Sequence, residues 1–94
     1  MTQTFNVIPD KRETIPAVTH VDGSARVQTV SREYNPRYHA LISEFGRLTG
    51  VPVVLNTSLN LMGQPIAAHP RAALANFYST GMDRLALGSW YLSK

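Results

Sequence analysis

The chain has 94 residues, 44% of them apolar, and a formal charge of +3 with a pI near 9.7. That length suits one domain, 1–94, burying about 60–65% of its unfolded surface. No run of about 18 apolar residues is present, so no transmembrane helix is expected. The N-terminal residues carry no signal-peptide pattern, and the absence of cysteine excludes a disulfide framework. Together these point to a cytoplasmic protein with no membrane role. The basic residues are scattered, and arginine outnumbers lysine seven to two. This argues against a nucleic-acid surface, which calls for a denser basic patch, and suits bidentate contact with phosphate or carboxylate.

In chain order, Thr4 to Ile8 alternates weakly as a strand and is interrupted by Pro9-Asp10-Lys11-Arg12. Ile15 to Val21 is β-rich, with Pro16 marking an edge or a strand start. Asp22-Gly23-Ser24 predicts a hairpin turn into Arg26 to Val30, which alternates. Asn35-Pro36 predicts a capped helix start. Tyr38, Leu41, Ile42, Phe45 and Leu48 recur at helical spacing, and Gly50 followed by Pro52 ends the helix at Thr49.

Val51 to Leu55 is apolar and β-branched, which predicts a buried strand. Asn56, Thr57, Ser58 and Asn60 crowd its C-terminal end. Gly63 predicts a turn and Pro65 to Ala68 a short strand. Pro70 opens a second helix, with His69 a poor N-cap and Gly81 a stop. Arg84 to Leu87 and Ser89 to Leu92 predict two terminal strands bent at Gly88. The fold class expected is α/β (α+β), a mixed sheet carrying two helices.

The chemistry-bearing candidates are few. Asn56, Ser58 and Asn60 alternate, so in extended chain they share a face and can contact phosphate, acyl or ribose oxygens. The competing reading is a loop that satisfies its own backbone. Arg26 and Gln28 share one face of a strand, a rigid mount for anion recognition or a plain surface edge. His20 and Asp22 can pair with each other or supply two metal ligands, but no motif offers a third. No standard phosphate loop, G-x-S-x-G or H-E-x-x-H is present.

Three collinear stretches carry a family resemblance: A-V-T-H-V-D-G-S-A-R-V-Q-T-V, then N-P-R-Y, then G-V-P-V-V-L-N-T-S-L-N-L-M-G-Q-P-I. In this order and spacing the chain, from Ile15 to Leu92, resembles the C-terminal part of the O-carbamoyltransferases of the NodU/CmcH type. The resemblance implies the last part of a YrdC-like domain that makes carbamoyl-adenylate from carbamoyl phosphate and ATP. Members are roughly six times longer than this chain. Their N-terminal domain carries a metal and moves the carbamoyl group onto an acceptor hydroxyl.

The resemblance casts Arg26 as a catalytic arginine on the phosphate or carbamoyl oxygens. It casts Asn56, Ser58 and Asn60, with Arg26, as substrate- and nucleotide-binding, and places no metal ligand in this chain. Leu59 stands where a Phe is common. Basic residues sharing the phosphate load, and the acceptor domain, are expected before Met1. The chain is then a part of a transferase, inactive alone, whose partner is the missing N-terminal portion. The alternative is a non-catalytic fragment that docks or self-dimerises through an exposed half-domain surface.

Overall fold

A computed structural model describes residues 3–94, which fall into two compact units, one ending at Asn56 and one running from Thr57 to Lys94. The first holds β1 (Thr4–Asn6), β2 (Ser24–Arg26) and α1 (Pro36–Thr49); the second holds α2 (Pro70–Ser79), β3 (Arg84–Leu87) and β4 (Trp90–Ser93). Two helices with two small antiparallel sheets make this the α+β class expected. The strands pair as two separate ribbons, β1 with β2 and β3 with β4.

In the first unit, β1 and β2 are antiparallel with Phe5 opposite Ala25. Val7 and Ala25 are its buried apolar residues. The β-rich run Ile15 to Val21 is not a strand. Pro16–Val18 forms a 3-10 turn, closed by the amide of Thr19 on the Pro16 carbonyl at 3.2 Å. Pro16 fixes φ at its first position and brings no N–H to a ladder, which favours a turn over a strand. The Asp22-Gly23-Ser24 turn forms as expected, with Gly23 donating to His20 O at 2.9 Å. It feeds β2, whose partner is β1 rather than the preceding run.

α1 has the bounds that its end signals predict. Asn35 Oδ1 accepts from the amide of Tyr38, Pro36 takes the first turn, and Gly50 closes the helix at φ 80°. Inside α1, Gly46 admits a close neighbour: a Cβ there would lie 2.7 Å from Pro52 Cβ. The glycine costs the helix about 0.5–1 kcal/mol relative to alanine, and in exchange segment 51–55 returns against α1. That segment is not the buried strand expected from its composition. Its chain starts with a tight turn, Val53 N to Val51 O at 2.9 Å. Val53 is 40% and Leu55 63% exposed.

In the second unit, Gly63 sits at φ 79° in a turn closed by Gln64 N on Leu61 O at 3.0 Å. Pro65 to Ala68 is irregular rather than a strand; Ala67 N alone reaches back, to Leu59 O at 2.8 Å. His69 caps α2 after all. Its Nδ1 accepts from the amide of Ala72 at 3.2 Å, a job that an imidazole nitrogen can do when it is unprotonated. α2 stops at Ser79, two residues before Gly81. Ala73, Phe77 and Leu85 form the buried apolar centre of this unit. β3 and β4 pair as expected across the bend at Gly88.

Candidate functional site

Arg26 closes β2, so the alternating run expected to Val30 is a strand only to Arg26, and residues 27–30 are irregular, with no ladder partner among the described residues. Residues 52–56 run along a second wall, and α1 contributes Tyr38 and Ile42, one helical turn apart. These segments enclose a cavity of about 670 Å³, within the range that takes a nucleotide-sized or smaller ligand. Ile15, Val18 and Val54 give it apolar walls. Its polar lining is His20, Arg26, Gln28, Tyr38 and Asn56. This is the mixture of a mostly apolar cleft with a few convergent polar groups expected of a small-molecule site.

Arg26 and Asn56, thirty positions apart in sequence, therefore line one cavity. Among the described residues no carboxylate pairs with Arg26; the ion pair found there, Arg47 with Glu44 at 2.6 Å, lies on the exposed side of α1. An unpaired guanidinium at a cavity wall is a ready anion contact. Asn56 Nδ2 donates to Gln28 Oε1 at 2.9 Å. That bond ties the two walls together and leaves Asn56 Oδ1 and the Gln28 amide nitrogen without a side-chain partner among the described residues.

Ser58 and Asn60 belong to the second unit. Ser58 Oγ donates to Asn60 Oδ1 at 2.5 Å, and Asn60 Nδ2 donates to the carbonyls of Leu61 and Gln64. These bonds are those of a self-satisfied loop, so a ligand would have to exchange with them.

A group that sequence reasoning only half found lies next to Arg26. His20 and Asp22 do not bond each other directly; Ser24 stands between them. Ser24 Oγ donates to Asp22 Oδ1 at 2.7 Å, and the Ser24 amide donates to the same oxygen at 2.9 Å. His20 Nδ1 lies 2.9 Å from Ser24 Oγ. The Ser24 hydroxyl and amide, with a smaller contribution from His20, hold the Asp22 carboxyl below its usual range. The sequence signal was the H-x-D-x-S spacing, which a tight turn folds into one cluster. Among the described residues no three His, Cys, Asp or Glu side chains gather as a metal site. No helix among them is long and apolar enough to cross a membrane.

Among the described residues, then, the first unit carries a mostly apolar pocket lined by one arginine without a carboxylate partner and by the amides of Gln28 and Asn56. Comparison with known proteins gives the family. The chain belongs to the family described as Carbamoyltransferase C-terminus, which it matches over residues 1–94. It is 48% identical over 83 residues to an uncharacterized protein of Synechocystis, covering 88% of this chain and 14% of that protein. It is 46% identical over 84 residues to the nodulation protein NolNO of Sinorhizobium fredii, covering 89% of this chain and 12% of that one. To the 3'-hydroxymethylcephem-O-carbamoyltransferase of Amycolatopsis lactamdurans it is 45% identical over 76 residues, or 80% of this chain and 15% of the relative. The chain thus spans only a small fraction of the length of these relatives.

Proposed function

We propose that this chain supplies part of the substrate pocket of an O-carbamoyltransferase, the part that binds carbamoyl phosphate and ATP and forms carbamoyl-adenylate. The observation that carries this reading is the convergence of Arg26 and Asn56 on one cavity with apolar walls. Adenylyl transfer needs positioning and charge stabilisation more than a protein nucleophile. Arg26 supplies the charge, against the phosphate or carbamoyl oxygens; Asn56 and Gln28 supply neutral donors and acceptors. For Ser58 and Asn60, in the second unit, the family resemblance alone supports a role as nucleotide contacts, which would require them to exchange their mutual bond for bonds to a ligand. The rest of the longer transferase would bring the acceptor site and the metal, and the chain alone would bind without turning over.

Isothermal titration of the chain with carbamoyl phosphate and with a non-hydrolysable adenylate analogue tests this. Replacing Arg26 by Ala removes a charge-assisted bond worth about 1.5–3 kcal/mol, so affinity should fall at least about tenfold. Equal heats for wild type and Arg26→Ala would sink the proposal.

A second reading, a docking fragment, draws on α1. None of its residues is buried, and Leu41, Phe45 and Leu48 line its outer side with 59%, 42% and 70% exposure. Such a stripe suits contact with the remainder of a longer transferase or with a second copy. A molar mass in light scattering that stays monomeric at every concentration would remove the second copy.

A further inference from the structure

The Ser24 hydroxyl has one proton, and Asp22 Oδ1 takes it at 2.7 Å. A carboxylate oxygen can only accept, so the Ser24 Oγ faces His20 with a lone pair. The 2.9 Å contact to His20 Nδ1 is then a bond that Nδ1–H donates. Two further bonds hold the turn rigid: His20 N donates to Ser24 O at 2.7 Å, and Gly23 N donates to His20 O at 2.9 Å. With Nδ1 carrying the proton, the neutral imidazole has its lone pair on Nε2. Nε2 has no protein partner among the described residues, and His20 lines the same cavity as Arg26.

From this geometry we propose that His20 is a specificity-determining residue of the pocket, its Nε2 accepting a hydrogen bond from the amino group of the carbamoyl moiety. The inference rests on the carbamoyl phosphate reading above and adds to it a means of choosing the substrate. Arg26 is a donor only, so it takes oxygens and cannot recognise an NH2. Acetyl phosphate has nearly the shape of carbamoyl phosphate, with a methyl group in place of the amino group. A fixed acceptor at that position favours the substrate that can donate and leaves itself unpaired against the one that cannot. Asp22 and Ser24 are positioning residues, which act by fixing the tautomer.

The test uses the whole chain and two ligands. Titration of wild type should show about tenfold tighter binding of carbamoyl phosphate than of acetyl phosphate, the value of one such hydrogen bond. His20→Phe should abolish that preference while keeping the affinity for acetyl phosphate, whereas Arg26→Ala should weaken both ligands together. Ser24→Ala should reduce the preference by untying the ring. The tautomer is read on wild type alone, from long-range nitrogen–proton NMR of the His20 ring, which should show Nδ1 protonated and Nε2 bare. An Nε2–H tautomer, or a preference that survives His20→Phe, overturns the proposal while the pocket reading stands. Failure of wild type to bind either phosphate overturns the pocket reading and this inference with it.

Discussion

Replacing Gly23 by alanine probes the turn that carries both His20 and β2. Gly23 is buried at φ 80°, in the left-handed region, where an L residue pays about 1–2 kcal/mol. The new methyl would also lie 2.6 Å from Arg12 Cζ and Nη2 and 3.0 Å from Nε. Those atoms are the far end of a flexible side chain and can swing away. Moving them breaks the bond from Arg12 Nε to Val7 O, 3.3 Å and partly buried, worth about 1 kcal/mol. The sum is about 2–3 kcal/mol. In an Arg12→Ala background the second contribution has already gone, so the same change should cost only about 1–2 kcal/mol. Urea unfolding followed by far-UV circular dichroism measures all four proteins, and the double-mutant cycle should return a coupling near 1 kcal/mol. A cost below about 0.5 kcal/mol would refute the backbone argument. Equal costs in both backgrounds would refute the role of Arg12.

Phe77 is fully buried and carries Lys94 Nζ 4.8 Å above its ring. Phe77→Ala should therefore cost about 3–5 kcal/mol, whereas Tyr78→Ala at a 67% exposed neighbour should cost far less; comparable losses in thermal melts would contradict the assignment of the core. Asp22 gives a pH dependence of known sign. Its folded pKa is lowered by Ser24, so its contribution to stability is present above the unfolded value, about 4, and is lost as pH falls through the folded value. Stability of wild type should thus drop on acidification through this range more steeply than that of Asp22→Asn, and parallel pH profiles in urea titrations would count against it.

The sequence was most legible where local chemistry alone decides. Asn35, Pro36 and Gly50 bound α1 without help from the rest of the chain, and Gly88 bends β3 into β4 as expected. It was least legible where β-branched residues were read as strands. Such residues report a fit to a pleated, half-buried surface, which exists only when a neighbouring strand is there to make it. Ile15 to Val21 meets Pro16 and turns; Val51 to Leu55 meets no ladder partner among the described residues. The site divides in the same way. Arg26 and Asn56 were candidates from their positions in the chain and from the family motifs, and both line one cavity. The Gln28–Asn56 bond spans 28 positions and had no local signal. The expected His20–Asp22 pair lacked its third member because a serine two residues on looks like an ordinary turn residue.

The missing ladder and the cavity have a common origin. Segments 27–30 and 52–56 both line the cavity and form no backbone ladder with each other among the described residues. The side chains of Gln28 and Asn56 bond instead. Had the two segments zipped into a sheet, their amides and carbonyls would be consumed and the space between them closed. Held apart, they leave backbone polar groups outside any ladder along the cavity walls. A β-branched run ending in N-T-S is here an unpaired wall, stiff at each valine χ1 and polar at its tip. Val51 to Leu55 scores as a strand because a stiff unpaired wall and a paired strand draw on the same residue types.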